Sequence, residues 1–294
     1  MIFPFIAEYD HEYSIRLLCK TLEVSESGYY AWCKRPASEQ EREDARLSAE
    51  IQQIFQDARK LYGSPRIHAV LKERGILCGR KRVVRLMQAL GISALPACRS
   101  KPKTTTSDPS ARFAPNVLNR DFTSVIPDAK WVTDSTAIWT DEGWLYLAVV
   151  LDLFSRRIVG WAMAATENEE LVELALRMAL ARRQPPSGLL HHSDRGSEYT
   201  SNDYQALLAR EGIQVSMSRT AKGFDNAVME SFFATLKKEC TLRAQFESRI
   251  QARQAVFEYL ECFYNRIRLH STLQYVSPVT FEQTFVELMR YPSF

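Results

Sequence analysis

Residues Trp144–Phe154 read WLYLAVVLDLF, an almost continuously apolar run that is typical of a central β-strand buried on both faces. A second strand pattern, Trp131–Thr140, precedes this run across a turn at Asp141–Gly143, and a third, Ile158–Met163, follows it. Strands joined by such short turns pair antiparallel. The stretch therefore predicts a three-stranded antiparallel meander at the centre of the fold.

Helices and strands alternate after the meander. A helix is predicted at Glu167–Arg183, followed by a strand that ends at Asp194, a helix at Ser201–Glu211 and a strand at Gln214–Ser218. A further helical segment contains Glu230. This alternation predicts an α/β fold.

Three carboxylates lie on these elements. Asp134 falls within the first strand, Asp194 ends the fourth, and Glu230 lies in the later helix, with 35 residues between the last two. Mg²⁺ prefers oxygen ligands, and two such ions can stabilise both the attacking and the leaving oxygen of a phosphoryl transfer. Carboxylates placed in this order on strand, strand end and helix predict an RNase H-like catalytic core.

The helical geometry around Glu230 agrees with this assignment. At about 100° per residue, Asn226 and Lys237 fall on the same side of the helix as Glu230. The apolar residues occupy the opposite arc, at positions 228, 229, 232, 233, 236 and 240. The pattern predicts a polar stripe of Asn226, Glu230 and Lys237 at the sheet edge.

Other polar residues near the three acids have simpler expected roles. Asp152 is expected to pair with an arginine of the turn that follows it, and Asp225 to cap the helix of Glu230. Glu198 competes for a role because it follows Asp194 by four residues. His191 and His192 lack a third zinc ligand nearby, so His192 is expected to be packed and satisfied.

The positive charge of the chain is concentrated in one segment. Net charge is +3, but Arg59–Lys103 carries twelve Lys or Arg and one acid, Glu73, so the remainder is −8. Such a segment indicates contact with a phosphate backbone, and a solvated helix face is the alternative. Arg80, Lys81, Arg82 and Arg85 begin the predicted helix Arg80–Leu90, where recognition helices meet DNA.

The chain divides into five predicted parts. Residues 1–40 form a small helical unit, for which a helix-turn-helix and a plain helical hairpin stay open, and residues 41–95 form a basic helical DNA-binding domain. Residues 96–127 are a Ser-, Thr- and Pro-rich linker, 128–244 the RNase H-like core, and 245–294 a helical tail.

The tail contains a predicted helix around Tyr259–His270. Its apolar residues recur at helical spacing and predict a face packed on the core or on a second protomer. They are Val256, Leu260, Phe263, Tyr264 and Ile267, with Asn265, Arg268 and His270 outside the stripe.

Composition excludes several classes of protein. No run approaches the roughly 18 apolar residues of a membrane helix. Residues 1–7 are apolar but lack a basic lead, so a secretory signal is not expected. The six cysteines are scattered without a Cys-x-x-Cys pair, which suits a reduced cytoplasm and argues against a zinc ribbon.

Four further stretches carry a family resemblance. They are Tyr62–His68 (YGSPRIH), His192–Tyr199 (HSDRGSEY), Asp225–Phe233 (DNAVMESFF) and Tyr264–Ser271 (YNRIRLHS). With the three acids and Lys237, they resemble the DDE superfamily of transposases and retroviral integrases. In particular, nearly the whole chain is similar to the second-reading-frame product of bacterial insertion sequences of the IS-three family.

The resemblance implies a Mg²⁺-dependent DNA transposase that uses two metal ions, with Mn²⁺ as an alternative metal. Asp134 would bridge both ions, with Asp194 and Glu230 completing one site each. Water would free a 3′-OH at the element end, and that hydroxyl would attack a second phosphodiester. Lys237 would hold a DNA phosphate, and Arg66, Asn226 and Arg268 are expected to join the DNA contacts.

The resemblance also implies partners: terminal inverted repeats and target DNA, an upstream reading-frame product by fusion or association, and a second copy of the chain on DNA. No leucine-zipper heptad run is present, so the chain is expected to be the catalytic half alone. An RNase H-like nuclease or resolvase and a non-catalytic DNA-binding regulator are the alternatives.

Overall fold

The computed structural model describes residues 2–94, 113–219 and 223–290. The first part of the predicted linker, with Arg99, Lys101 and Lys103, lies outside the described residues, as do 220–222 and 291–294.

Six helices precede the sheet in the described part of the chain. Polar caps start three of them: the hydroxyls of Ser14, Ser25 and Ser38 each accept a backbone N–H of the first helical turn. The helices are α1 Ile2–Tyr9, α2 Ile15–Thr21, α3 Glu26–Cys33, α4 Glu39–Asp57, α5 Ser64–Glu73 and α6 Arg80–Ala89.

A five-stranded mixed sheet forms the centre of the molecule, in the order β3-β2-β1-β4-β5. The strands are β1 Lys130–Thr140, β2 Gly143–Asp152, β3 Ile158–Ala164, β4 Leu190–Ser193 and β5 Gln214–Met217. The first three pair antiparallel, whereas β1 with β4 and β4 with β5 are parallel. The predicted meander and the α/β, RNase H-like core are confirmed.

Helices cover the sheet and form the tail. They are α7 Glu169–Arg183, α8 Ser197–Thr200, α9 Asn202–Arg210, α10 Ala227–Glu239, α11 Arg249–Phe257 and α12 Pro278–Arg290. Between β3 and α7 the approach is so close that a side chain at Gly160 would lie 2.2 Å from the carbonyl oxygen of Ala175. Only glycine fits there, which brings α7 against the sheet.

The basic helical unit, defined as α4–α6, shares its core with the sheet. Buried side chains run without interruption from Ile51 and Leu71 in this unit to Leu147 in the sheet and Leu260 in the tail. Helices α1–α3 instead pack around a small cluster of their own, centred on Ile6 and Tyr29.

The tail departs from the predicted helix at one point. After α11, residues Glu258–Tyr264 form a π-helix, in which Asn265 N–H reaches back to the carbonyl of Leu260. Each π-helical turn contains about one residue more than an α-helical turn, so the residues after it are rotated about the helix axis. The predicted stripe is therefore correct up to Tyr264 and wrong beyond it, because Ile267 is 52% exposed whereas Asn265, Arg268 and His270 are buried.

No helix within the described ranges is both long and apolar enough to cross a membrane.

Candidate active site

Asp134 and Asp194 lie on neighbouring parallel strands. The register pairs Trp131 with His191 and Val132 with His192, and its continuation by two residues places Asp134 level with Asp194. Adjacent strands are about 4.8 Å apart, and residues at the same level of a parallel pair face the same side. The structure therefore brings these two predicted acids together at the end of β4.

Backbone amides hold both carboxylates. The N–H of Ser135 donates to Asp134 Oδ1 at 2.8 Å, and the N–H of Gly196 donates to Asp194 Oδ1 at 2.9 Å. Burial raises the pKa of Asp134 well above its usual value, and the nearby charges of Asp194, Glu198 and Glu230 raise it further. Asp134 thus lies in a field of other carboxylates.

Helix α10 carries Glu230 beside this pair. Its apolar face is buried as predicted, at Met229, Phe232, Phe233 and Leu236, while Glu230 is exposed in the first turn. Immediately before the helix, the buried Asn226 donates its side-chain N–H to the carbonyl oxygen of Thr133 at 3.1 Å. This bond ties the start of α10 to β1, next to Asp134.

Asp225 does not cap α10, and that prediction is wrong. Its fully buried carboxylate instead accepts hydrogen bonds from Arg120 at 2.7 Å and from the backbone and side chain of Arg219 at 3.1 Å. Burial alone would raise the pKa of Asp225, but the two arginines lower it below its usual value. Asp225 consequently fixes the segment that leads into α10, and not the first turn of that helix.

Two further residues lie near the acids. The short helix α8 follows Asp194 and carries Glu198 and Tyr199, and both side chains are close enough to Asp194 for its charge to raise their pKa values in addition to burial. Burial, and then the charges of Asp194 and Glu167, raise the pKa of Glu198. Tyr199 is fully buried, and its hydroxyl has no hydrogen-bond partner among the residues described. In the sequence, the motif His192–Tyr199 contained both residues and the spacing from Asp194 also pointed to Glu198, but no role was predicted for Tyr199.

The donor set suits a hard divalent cation, although the described side chains are not arranged as a finished metal cluster. No three His, Cys, Asp or Glu side chains within residues 2–94, 113–219 and 223–290 stand in the arrangement that holds a metal ion. Burial first, and then repulsion from the neighbouring carboxylates, raise the pKa of Asp134, and a bound Mg²⁺ would relieve that repulsion.

The two histidines of β4 are packed, as predicted for His192. Both ring nitrogens of His192 meet serine hydroxyls, Ser216 at 2.8 Å and Ser218 at 3.1 Å, and burial lowers its pKa to about 4. His191 contacts the hydroxyl of Tyr204 at 3.1 Å, and burial lowers its pKa to about 3. Neither ring is placed as a metal ligand.

Asp152 does not pair with an arginine of the following turn, so that prediction is wrong. Its fully buried carboxyl contacts the Ser155 hydroxyl at 3.1 Å and the backbone N–H groups of Asp128 and Phe154 at 3.3 Å. The arginine that follows, Arg157, pairs with Glu282 instead. Burial, and then the charge of Asp128, raise the pKa of Asp152 to about 7.

The four predicted DNA contacts of α6 divide into two pairs. Arg80 and Lys81 are exposed at the helix start. Arg82 and Arg85 bind Asp44 of α4 at 2.7 and 2.6 Å. These ion pairs hold α6 against α4, so the second pair of arginines also maintains the helical unit.

The remaining predicted DNA contacts lie deeper. Lys237 is half-buried on α10, and Asn226 is buried with its amide bonded to β1. Arg66 bonds the carbonyl of Leu269 at 2.9 Å, and the buried Arg268 binds Glu239 through two bonds of 2.7 and 2.8 Å. An enclosed, ion-paired guanidinium does not reach a phosphate, so the structure removes Arg268 from the candidate DNA contacts.

Comparison with known protein families gives three matches along the chain. Residues 125–222 match an Integrase core domain, residues 41–101 an HTH-like domain, and residues 230–285 a second Integrase core domain family. The first match contains Asp134 and Asp194, and the third begins at Glu230.

Relatives match over nearly their whole length. The Transposase InsF for insertion sequence IS3A of Escherichia coli is 39% identical over 284 residues, which cover 96% of this chain and 98% of the relative. The Insertion element IS600 uncharacterized 31 kDa protein of Shigella sonnei is 41% identical, covering 92% and 99%. The Transposase for insertion sequence element IS904 of Lactococcus lactis is 42% identical, covering 85% and 98%.

Among solved structures, the HTLV-2 integrase catalytic core domain in complex with magnesium is similar, with a TM-score of 0.41 and 17% identity. The matched region covers 54% of this chain and 98% of the HTLV-2 integrase domain.

Proposed function

The chain belongs to the IS3 family of insertion-sequence transposases, and on that premise we propose that it cleaves 3′ ends of its element and joins them to target DNA at the site of Asp134, Asp194 and Glu230. The observation that carries this assignment is the alignment of Asp134 with Asp194 across parallel strands, with α10 tied to β1 by Asn226. These contacts support the proposal that the three carboxylates act at one edge of the sheet.

The residues of the chain mainly hold and orient the reactants. The backbone N–H groups of Ser135 and Gly196 each fix one carboxylate oxygen, of Asp134 and Asp194 respectively. Asn226 fixes the start of α10 against β1, and with it the position of Glu230 on that helix. Positioning of this kind accounts for a large part of the rate of phosphoryl transfer, because the reaction needs little covalent help from the protein.

Asp134, Asp194 and Glu230 would hold two Mg²⁺ ions, with Mn²⁺ as an alternative metal. When bound, such ions stabilise charge on the attacking and leaving oxygens of the phosphodiester. Glu198 lies close enough to Asp194 to influence the same site electrostatically.

DNA binding is assigned to the exposed start of α6, at Arg80 and Lys81, with Lys237 close to the acids. We propose the divisions expected from sequence: helical units at 1–40 and 41–95, a linker at 96–127, the core to 244 and the tail beyond. The last part of the linker is bonded to the core, through Arg120 and Asp225. The separate packing of α1–α3 and the family match at 41–101 support the first boundary.

The proposed partners are the inverted repeats of the element, target DNA, a second copy of the chain and the upstream reading-frame product, in the bacterial cytoplasm. Co-expression of the two reading frames, compared with a covalent fusion of them, tests the last of these. If neither raises end joining above that of the chain alone, the upstream product is not a partner.

Substitution of the three acids tests the catalytic assignment. Asp134→Asn, Asp194→Asn and Glu230→Gln should each abolish 3′-end nicking and joining in Mg²⁺ while end binding persists, because affinity comes from the basic unit. Asp152→Asn is the matched control, since it makes the same substitution at a buried carboxyl of the same sheet that contacts Ser155 instead of the other acids. A variant of the three that still nicks at the control rate does not belong to the site.

A further inference from the structure

Two sequence motifs, Tyr62–His68 and Tyr264–Ser271, meet inside the protein rather than on a DNA-facing surface. The hydroxyl of Tyr62 donates to the carbonyl of Ile267 at 3.1 Å and accepts the N–H of Leu269 at 3.0 Å. Arg66 of α5 bonds the Leu269 carbonyl at 2.9 Å. The basic helical unit is therefore hydrogen-bonded directly to the tail.

Glu239, near the end of α10, joins both motifs. Its carboxylate binds Arg268 through two bonds, accepts the hydroxyl of Tyr259 at 2.8 Å and lies 3.8 Å from Arg66. The side chains of Glu239 and Arg268 are 7% and 8% exposed. One buried carboxylate thus connects α10, the tail and the basic helical unit; we call this contact the joint.

We propose that Glu239 is a positioning residue, whose joint with Arg66 and Arg268 fixes the basic helical unit relative to Glu230 on α10. Glu230 and Glu239 are nine positions apart on one helix, a distance of about 14 Å along the axis. End DNA held by α6 therefore meets the acids in one register. This inference rests on the proposed function, because it assigns that register to the element end.

The chemistry of the joint favours a role in geometry over one in stability. A buried ion pair often adds little to stability compared with apolar residues of the same size, but it fixes orientation through its directed bonds. Three cations, Arg268, Arg66 and Arg156, add to burial in lowering the pKa of His270 to about 2. The Glu239 carboxylate is consequently needed to balance this positively charged interior.

The apolar surroundings indicate that the joint is rigid. Residues of α4–α6 and of the tail belong to one continuous buried core, and Arg59 lies over the ring of Phe263 at 4.9 Å. A tethered but freely moving DNA-binding unit would lack such a shared core. End DNA bound by the unit is accordingly held in place relative to the sheet.

The test compares end binding with the position of cleavage in the full chain. For Glu239→Gln we expect affinity for end DNA within about threefold of the original, because the phosphate contacts are unchanged. Nicking at the element terminus should fall by about tenfold or more, with cuts spread over neighbouring phosphates, since a small misplacement costs catalysis heavily. A purely structural residue would lower the rate without moving the cut.

Glu258→Gln is the matched control, because the Arg59–Glu258 pair spans the same two units at 2.6 Å but is 40% and 60% exposed. Its nicking rate and cut position should stay within about twofold of the original. If Glu239→Gln cuts at the original rate and position, the proposal is overturned. If that variant does not fold, Arg268→Lys decides by the same criteria, since it keeps the positive charge but cannot make both bonds to Glu239.

Amide hydrogen exchange separates failure of the joint from failure of the proposed function. The N–H of Leu269 donates to the Tyr62 hydroxyl between the tail and the basic helical unit, and it should exchange about tenfold or more faster in Glu239→Gln than in the original chain. Should the original chain not nick end DNA at all, the proposed function fails, and the exchange rate of the Leu269 N–H alone decides about the joint. An unchanged exchange rate in Glu239→Gln would then overturn it.

Discussion

Asp152→Asn should stabilise the protein, and more so at high pH. Asp152 is fully buried on β2, and its pKa is raised from 3.8 to about 7. Proton counting supports a neutral carboxyl. The Ser155 hydroxyl has a single proton, which the 2.7 Å bond to Glu282 takes, so the 3.1 Å contact with Asp152 needs a proton from Asp152.

The size of the expected effect on stability follows from the difference between the folded and unfolded pKa of Asp152. A folded pKa about three units above the unfolded value corresponds to about 4 kcal/mol. Because the folded state binds the extra proton, the contribution of the protonated Asp152 carboxyl to the stability of the original protein is complete below the unfolded pKa of 3.8. That contribution is lost as pH rises through about 7. About 3 kcal/mol of the loss falls between pH 5 and pH 8.

Asparagine keeps the favourable contacts without ionising. Its carbonyl can accept the N–H groups of Asp128 and Phe154, and its amide can donate to the Ser155 hydroxyl. Urea unfolding at pH 5 and pH 8, followed by tryptophan fluorescence, should therefore show that the stability margin of Asp152→Asn over the original grows by about 3 kcal/mol. Asp141→Asn, in the exposed β1–β2 turn, is the control.

A constant margin, or a variant less stable than the original at pH 8, would refute the reasoning. Either result would mean that Asp152 is ionised in the folded protein and is stabilised by Arg183, whose charge opposes the effect of burial on the pKa.

Three other predictions follow from the contacts described. Gly160→Ala should lower the free energy of unfolding by about 2–3 kcal/mol in urea titrations, because its Cβ meets the Ala175 carbonyl; an unchanged midpoint would contradict the close approach of α7. Arg80→Ala with Lys81→Ala should flatten the log–log salt dependence of end binding by about 1.8, and adding Arg82→Ala and Arg85→Ala should flatten it by less. If the two pairs of substitutions changed the salt dependence equally, Arg82 and Arg85 would contact DNA phosphates and would not be held by Asp44. Light scattering of the complex with end DNA should give at least two protomers, and a single protomer that completes paired-end joining would exclude assembly.

The pattern of the sequence was sufficient to predict the sheet, because each strand is specified by its own residues. The apolar run Trp144–Phe154 becomes β2 with a fully buried middle, and the strand before Asp194 becomes β4. The order of the first three strands also followed, since short turns force the meander, whereas the position of β4 beside β1 was not predicted. The π-helix at Glu258–Tyr264 was not predictable in this way, because one extra residue in a turn leaves hydrophobic spacing almost unchanged until the face has already rotated.

For the candidate site, the sequence supplied the acids and the structure supplied their surroundings. Asp134, Asp194 and Glu230 stood out by element and spacing, but the hydrogen bond from Asn226 to Thr133 depends on how distant segments pack. The same holds for Asp225, whose arginines come from residues 120 and 219.

Sequence by itself determined the strands, the family and the three candidate acids, because periodicity, turn residues and motif spacing are local properties of the chain. Only the tertiary structure decided which charges are available to DNA. Four arginines were predicted from the sequence to contact DNA: Arg66, Arg82, Arg85 and Arg268. In the structure, Arg66 bonds the carbonyl of Leu269, Asp44 binds Arg82 and Arg85, and Glu239 binds the buried Arg268. Whether an arginine meets a phosphate or a carboxylate depends on the partner that folding brings to it, and residues far apart in sequence supply that partner.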